Sequence, residues 1–305
     1  MTPLSDTATV DVSDREIDGP HGPLTLRVYL PEASAGPGLV WAHGGGFAGG
    51  DLDMPEADGV ARELAARGIV VVSVDYRRAP LPQVWAEAMG ASATGGVHYP
   101  VPSDEVAAAF HWAAAADPAA HLASGPWAIG GASAGGNLAA GATLRLIHDG
   151  GPVPALAVLA YPTLHAVQAA PDAELRAALD ANPDADRFGP AAVLGMYENY
   201  LGGAVQNPEV FAVPGDASAE QLALFPPTIM INGDVDQLRV SGEAFARALS
   251  EAGREVDVST EPGTMHGHLN RPDEPAASRS LDRFAARILA LAPPASTPAT
   301  EGMPS

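Results

Sequence analysis

The sequence predicts an α/β fold in which a mostly parallel central sheet carries helices on both faces. Short apolar or β-branched segments alternate with amphipathic ones along most of the chain, as strands and helices do around a parallel sheet. The chain has 305 residues, 47% hydrophobic and 17% charged, so it can bury the core of one large domain. One long stretch without a strand pattern predicts a small helical insertion.

Seven segments predict the strands. Residues 24–30 (LTLRVYL) alternate between apolar and polar side chains, which is typical of a half-buried strand. The others are short and rich in apolar or β-branched residues, which favours buried strands. These are residues 38–43, 68–76, 126–131, 155–162, 226–234 and 255–263.

Helices are predicted between the strands. Pro55 begins a segment with acidic residues in its first turn, and Gly68 ends it, which is the usual asymmetry of helix termini. Apolar residues recur at helical spacing in three later segments. These are the stretch from Ser133 to Gly150 and residues 240–253 and 276–292.

Two segments interrupt the alternation of strand and helix. Residues 83–101 form an insertion with glycines and aromatic residues, and residues 163–214 contain two helical patterns. We expect the second to be a helical lid on the α/β core, and the Pro- and Ser-rich carboxyl terminus to be disordered. The predicted units are a short N-terminal segment 1–20, a core of 21–162 and 215–292, the lid 163–214, and a tail 293–305.

Composition excludes several kinds of chemistry. The net charge of −21 disfavours nucleic acid and anionic membranes as partners. There is no cysteine and no lysine, since all 16 residues of the combined lysine and arginine count are arginines. Disulfides, thiolate metal sites and Schiff-base lysines are therefore excluded. The polar, acidic start lacks the features of a signal peptide, and no apolar run would span a bilayer, so a cytoplasmic protein is expected.

Five glycines lie within residues 44–50 and raise the hypothesis of a dinucleotide-binding oxidoreductase. A G-x-G-x-x-G pattern is formed by Gly44, Gly46 and Gly49. Asp75 ends the next apolar run, where a ribose acceptor would stand. However, a pyrophosphate site needs a helix that starts at the glycines, and this loop continues with acidic residues and a proline. An NAD(P) site is thus disfavoured.

Residues 131–135 (GASAG) match the G-x-S-x-G pattern of a nucleophilic serine. They lie between a predicted strand and a predicted helix, where a sharp turn would expose the Ser133 hydroxyl. The start of the helix would place backbone N–H groups beside that hydroxyl. The pattern therefore predicts a serine nucleophile for acyl transfer.

A serine nucleophile needs a histidine base and a carboxylate that orients the base. Asp234 and Asp236 directly follow one late strand, and His266 and His268 follow the last. The order Ser, Asp, His is the one found in α/β hydrolases, and all these residues would lie at the carboxyl edge of the sheet. The pattern alone leaves open which aspartate and which histidine act.

Together these motifs resemble the hormone-sensitive-lipase-like (bacterial family IV) carboxylesterases of the α/β-hydrolase superfamily. The resemblance covers about residues 18 to 290. It rests on HGGGF (43–47), VVSVDYRRAP (71–80), GASAGGNLA (131–139), GDVDQLR (233–239) and MHG (265–267). It implies the α/β-hydrolase fold and a serine carboxylesterase that acts on small-molecule esters and needs no cofactor or metal.

The resemblance also implies roles for individual residues. Ser133 would be the nucleophile, His266 the base and Asp236 the orienting acid, with Asp234 as the alternative acid. The backbone N–H groups of an oxyanion hole would come from Gly45, Gly46 and Ala134. The sequence departs from the family at Ala132, where an acidic residue or threonine is usual, and at Gln237, where a proline is usual. Its N-terminal segment is also shorter than the one that often forms part of the lid in this family.

A substrate pocket lined by aromatic and apolar side chains is expected beside the serine. Its predicted residues are Phe47, Trp85, Tyr161, Met196, Tyr197 and Tyr200. Such a pocket suits short-chain or aromatic esters, although amides, lactones and carbonates undergo the same acyl transfer. A catalytically inactive hydrolase fold that binds a ligand is the second hypothesis. Assembly is left open between a monomer and a homodimer.

Overall fold

The computed structural model describes residues 9–32, 36–88, 90–115, 122 and 125–292. The predicted tail 293–305 therefore lies outside the described residues. The strands are β1 (Val10–Gly19), β2 (Gly22–Pro31), β3 (Gly38–Ala42), β4 (Val70–Val74), β5 (Trp127–Ala132), β6 (Leu156–Ala160), β7 (Thr228–Val235) and β8 (Val256–Met265). They form one sheet in the order β1-β2-β4-β3-β5-β6-β7-β8. The pairs β1–β2 and β2–β4 are antiparallel, and the pairs from β4 to β8 are parallel.

The helices of the described residues follow the predicted alternation. They are α1 (Val60–Ala66), α2 (Gln83–Ala88), α3 (Val101–Ala114), α4 (Ala134–His148), α5 (Ala173–Ala181), α6 (Pro190–Leu201), α7 (Ala219–Leu222), α8 (Arg239–Glu251) and α9 (Pro275–Leu289). A π-helical turn, Pro55–Gly59, leads into α1. Segment 163–214 contains α5 and α6. In the part of the chain that the structure describes, no helix has the length and apolarity to cross a membrane.

Two hydrophobic clusters cover the two faces of the sheet. On one face, α1 and α9 pack through residues such as Leu64 and Phe284. On the other, α3, α4 and α8 pack through residues such as Phe110 and Phe245. The parallel strands supply both clusters because successive side chains point to opposite faces. The strands from β3 to β6 are therefore a buried central layer, as their apolar sequences predict.

Four elements of the described residues are absent from the sequence prediction: β1, α3 and the short helices α2 and α7. The N-terminal segment 1–20 includes β1, which forms a hairpin with β2 at the edge of the sheet. Its polar, charged sequence does not look like a core strand, but charges are typical of edge strands because they oppose pairing with other chains. Helix α3 is another, and its buried face mixes polar residues such as Ser103 and Glu105 with small and apolar ones, which gives a weak periodic pattern.

Candidate active site

Ser133 lies in a strained turn between β5 and α4. Its backbone has φ 53° and ψ −117°, a conformation that a non-glycine residue rarely adopts. The flanking glycines allow the turn to be tight. A Cβ on Gly131 would lie 2.4 Å from the Gly135 carbonyl carbon, and one on Gly135 would lie 2.1 Å from the Ala42 carbonyl oxygen. The turn therefore needs glycine on both sides of the serine, and it holds the Ser133 hydroxyl at the carboxyl edge of the sheet.

His266 and Asp236 form a hydrogen-bonded line with this serine. The His266 Nδ1 atom is 2.7 Å from Asp236 Oδ2, and its Nε2 atom is 2.9 Å from Ser133 Oγ. A carboxylate can only accept, so Nδ1 carries the proton and Nε2 is left as an acceptor for the serine O–H. Asp236 is fully buried, and its other oxygen accepts the Leu238 N–H at 2.9 Å. Both residues come from loops after the last two strands.

The alternative aspartate and histidine lie outside this line. Asp234 is partly exposed and accepts a hydrogen bond from the Gly263 N–H at 2.9 Å. His268 is buried, and its Nε2 atom is 2.8 Å from Ser280 Oγ. Burial lowers the pKa of His268 to about 4, so this ring is neutral near pH 7. Of the two histidines, His266 is the one hydrogen-bonded to Ser133, and of the two aspartates, Asp236 is the one hydrogen-bonded to His266.

The glycine loop borders the same site. Gly45 and Gly46 have φ values of 119° and 60°, and a Cβ on Gly45 would lie 2.1 Å from the Gly49 carbonyl oxygen. Within the described part of the chain, no acceptor receives the N–H of Gly45, of Gly46 or of Ala134 at the start of α4. These unpaired amides are the kind of donors that stabilise an oxyanion.

Glu56 is a buried carboxylate that the sequence prediction does not include. It is 2% exposed. Its Oε1 atom accepts the Gly44 N–H at 2.8 Å, and its Oε2 atom accepts the Tyr161 hydroxyl at 2.6 Å and the Asn270 amide at 3.0 Å. Burial raises the pKa of Glu56 above its ordinary value, and the bonds from Tyr161 and Gly44 offset part of this effect. In the sequence, Glu56 is marked only as an acidic residue twelve positions after Gly44, the first glycine of the loop.

His43 anchors the glycine loop rather than acting on Ser133. Its Nδ1 atom is 2.7 Å from the Gly44 carbonyl oxygen, and its ring stacks on Tyr76 with centroids 4.5 Å apart. Burial lowers the pKa of His43 to about 4. The ring is therefore neutral at neutral pH and is held against the loop by these two contacts.

A cavity of about 740 Å³ opens onto Ser133 and His266, and its wall is mainly apolar. Of the six predicted pocket residues, Trp85 and Met196 line it. The remaining four are fully buried and do not line this cavity: Phe47, Tyr161, Tyr197 and Tyr200.

For the two tyrosines of α6, helix geometry explains this correction. Ala192, Gly195 and Met196 are on the face of α6 that lines the cavity, whereas Tyr197 and Tyr200 point into the core. There the Tyr200 ring stacks on Phe47 with centroids 4.1 Å apart. The aromatic residues thus support the wall from behind, and small residues leave room for a ligand.

The site contains no cluster suited to a metal ion. Across the residues that the structure describes, no group of three or more His, Cys, Asp or Glu side chains converges. The glycine loop also differs from a phosphate cradle, because the Glu56 carboxylate already occupies the Gly44 amide and the first helical turn begins only at Pro55.

Comparison with known proteins defines the class. Residues 39–93 and 96–270 match the Abhydrolase_3 family, described as an alpha/beta hydrolase fold. The chain belongs to this family, as a hormone-sensitive-lipase-like (family IV) carboxylesterase of the α/β-hydrolase superfamily. The predicted fold and enzyme class are thereby confirmed.

Individual relatives are similar over most of their length. Esterase LipI of Mycobacterium tuberculosis is 32% identical over 279 residues, which are 89% of this chain and 79% of LipI. Carboxylesterase NlhH of the same species is 34% identical over 254 residues, 81% of this chain and 72% of NlhH. The crystal structure of EstE1, a thermostable carboxylesterase cloned from a metagenomic library, superposes with a TM-score of 0.78 at 28% identity, covering 94% of this chain and 91% of EstE1.

Proposed function

We propose that this carboxylesterase hydrolyses short-chain or aromatic esters through an acyl-enzyme on Ser133. The observation that carries the proposal is the continuous hydrogen-bonded line from Ser133 Oγ through His266 to Asp236, with distances of 2.9 and 2.7 Å. The acceptor nitrogen of His266 faces the serine O–H, which is the protonation state that a general base requires.

In the first half of the reaction, Ser133 Oγ attacks the ester carbonyl while His266 Nε2 takes the hydroxyl proton. Asp236 holds the imidazole in place and stabilises its positive charge. The oxyanion that develops on the carbonyl oxygen accepts hydrogen bonds from the N–H groups of Gly45, Gly46 and Ala134. Donors of this type contribute about 3–4 kcal/mol each to the transition state. His266 then protonates the leaving alcohol.

In the second half, water replaces the alcohol beside His266. The histidine removes a proton from the water, which attacks the acyl-Ser133 carbonyl, and the acid leaves as Ser133 regains its proton. Each step uses side chains and backbone groups of this chain. The mainly apolar wall and the volume of about 740 Å³ favour a compact acyl or aryl group. Amides, lactones and carbonates are further candidates for the same chemistry.

Segment 163–214 is proposed as the lid of this site. It contributes Phe188 and the small-residue face of α6 to the cavity wall. The Phe188 ring also packs on the His266 imidazole with centroids 4.4 Å apart. A change in the position of this segment would therefore alter both access to Ser133 and the surroundings of the base.

The test is the rate of hydrolysis of p-nitrophenyl acetate and butyrate by Ser133→Ala. We expect kcat to fall by about four orders of magnitude or more with retained folding. Ser250→Ala, an exposed serine of α8, is the matched control and should keep the wild-type rate. Full activity of Ser133→Ala would refute the mechanism. Lack of activity in the wild type on a broad ester panel would favour the inactive, ligand-binding alternative.

Two further parts of the proposal concern assembly and location. β8 is the last strand of the sheet in the described residues, and Val258 on it is 41% exposed, so this edge is the candidate surface for a homodimer. Light scattering at micromolar concentration separates a dimer from a monomer. A cytoplasmic location stays a prediction, and cell fractionation tests it.

A further inference from the structure

The cavity wall contains two arginines that the esterase mechanism does not use. Most polar side chains on the wall already bond to each other: Ser133 to His266, and Glu56 to Asn270. Arg187 and Arg271 are the exceptions. They place two positive charges on the wall of a mainly apolar cavity in a chain whose net charge is −21.

Neither guanidinium is well satisfied by a carboxylate of the protein. Among the described residues, the Arg187 side chain has no ion pair or hydrogen bond, although Asp186 is its neighbour in the chain. That aspartate pairs with Arg176 instead, at 2.6 Å. Arg271 has one distant ion pair, with Glu274 at 3.9 Å. Both guanidinium groups therefore remain available to an anion that enters the cavity.

Both arginines belong to segments that adjoin the proposed base. Arg187 directly precedes Phe188, whose ring contacts His266. Arg271 lies in the turn that follows His266, next to Asn270. The first turn of helix α6, whose Ala191 lines the wall, has no side-chain cap, and its partial positive charge has the same sign as the arginines. Arg187 is exposed and Arg271 is partly buried, so both lie on the wall where an anion can reach them from solvent.

We propose that the preferred substrates are esters that carry a carboxylate or phosphate group, which Arg187 and Arg271 bind. This inference rests on the proposed function, because it assigns the substrate class of the same site. Guanidinium groups suit such anions since they donate two parallel hydrogen bonds. The negative surface does not prevent binding at physiological salt, where the Debye length is about 8 Å and distant surface charges are screened.

The experiment compares matched esters at constant ionic strength. Monoethyl succinate and its methylamide differ by one charge on the acyl side, and O-acetylglycolate and its methylamide differ by one charge on the alcohol side. We expect wild-type kcat/KM to be at least about ten-fold higher for the anionic member of at least one pair. Arg187→Gln and Arg271→Gln should each reduce this preference about ten-fold. Arg247→Gln, which changes an exposed arginine of α8 away from the cavity, should leave it as it is.

Preference for the neutral member in both pairs, or a ratio that neither arginine variant changes, would overturn this proposal. Hydrolysis of p-nitrophenyl acetate separates the two proposals. If the wild type cleaves it and shows no preference for anions, the esterase mechanism stands and only the substrate class falls.

A second inference comes from Glu56, whose carboxylate joins three parts of the site. Its two carboxylate oxygens accept hydrogen bonds from Gly44 of the glycine loop, from Tyr161 after β6 and from Asn270 in the turn that follows His266. The backbone N–H of Glu56 also donates to Asn270 Oδ1 at 3.2 Å. One buried side chain therefore connects the loop that carries the oxyanion donors with the segment that carries the base.

The geometry points to Glu56 as a positioning residue for the oxyanion hole, a role that also rests on the proposed function. It acts through Gly44, which is adjacent to the donor Gly45, and through Asn270. Replacement by glutamine leaves one carbonyl oxygen for three donors. We expect the glycine loop to shift, so that stabilisation of the transition state falls while ground-state binding changes little.

The test uses readouts that a purely structural role would not change. In Glu56→Gln, kcat per titrated active site should fall about 10- to 100-fold with KM nearly constant. The Ki of a trifluoromethyl ketone, whose adduct with the serine carries the oxyanion, should rise in parallel. Glu105→Gln, which changes a second buried carboxylate that pairs with Arg77, is the control, and it should lower stability alone.

Wild-type kcat per titrated site and wild-type Ki in Glu56→Gln would overturn the positioning role. Should that variant fold poorly, Tyr161→Phe removes only one of the three donors. In Tyr161→Phe combined with Glu56→Gln, the single carbonyl oxygen faces two donors instead of three, so this double variant should recover part of the kcat that Glu56→Gln loses. No recovery in a folded double variant would also contradict the inference.

Discussion

Asp236→Asn tests the geometry of the base most sharply. The aspartate is fully buried, accepts the His266 Nδ1–H on Oδ2 at 2.7 Å and accepts the Leu238 N–H on Oδ1 at 2.9 Å. An asparagine has one oxygen, and we expect it to keep the Leu238 bond and to turn its NH2 group toward His266. The imidazole must then switch its proton to Nε2, and it can no longer accept the proton of Ser133.

The expected loss in kcat is about 10⁴-fold, or about 5.5 kcal/mol in the activation free energy. If the asparagine instead turns its oxygen toward His266, its NH2 group faces the Leu238 N–H. That orientation loses a buried hydrogen bond, at a cost of about 1–3 kcal/mol in the free energy of unfolding. The assay is steady-state hydrolysis of p-nitrophenyl butyrate near pH 7, with protein quantified by active-site titration.

Asp234→Asn is the matched control because it removes the same charge two residues earlier. Asp234 bonds to the Gly263 N–H and lies near Arg239 rather than His266. We expect its kcat to stay within a few-fold of the wild type. The reasoning is refuted if Asp236→Asn keeps more than a tenth of wild-type kcat, or if both variants lose the same amount.

Three further predictions concern packing, pH and the cavity. In Gly135→Ala the new Cβ would lie 2.1 Å from the Ala42 carbonyl oxygen, so urea denaturation should show that the free energy of unfolding falls by about 3 kcal/mol or more. Gly195→Ala is the control, because the space around its Cβ is open and its free energy of unfolding should not fall. The pKa of His268 is about 4 in the folded state and 6.5 in the unfolded state. The neutral ring therefore contributes up to about 3 kcal/mol to the free energy of unfolding, which is fully present above pH 6.5 and is lost as the pH falls toward 4. His268→Gln should flatten this part of the curve of unfolding free energy against pH, and an unchanged slope would count against a buried neutral ring. Met196→Ala widens the cavity next to Gly46, so kcat/KM should shift toward longer acyl chains across a p-nitrophenyl ester series, and an unchanged chain-length profile would remove Met196 from the wall.

The elements that could be predicted are those whose function fixes a local sequence pattern. The turn at Ser133 requires glycines at 131 and 135, and buried parallel strands require apolar runs. Both patterns can be recognised in the linear sequence. β1 gives no strand pattern because an edge strand can be polar, and α3 gives little periodic contrast because its buried face includes Ser103 and Glu105.

The spatial details of the site follow from contacts that no local pattern encodes. Glu56 meets Asn270 across 214 positions of sequence, so its place beneath the glycine loop is visible only in the fold. The choice of Asp236 over Asp234 likewise came from resemblance to a family, and the pattern alone left it open. The aromatic side chains of Tyr197 and Tyr200 are of a type that suits a ligand pocket, but α6 turns both toward the core.

The most direct test of the central claim is to label the enzyme with a fluorophosphonate and map the adduct by peptide mass spectrometry. We predict one adduct per chain, on Ser133, with loss of ester hydrolysis in proportion to labelling. The adduct should be absent in Ser133→Ala and should form far more slowly in His266→Ala. An adduct on another residue, or hydrolysis that persists after complete labelling of Ser133, would contradict the mechanism.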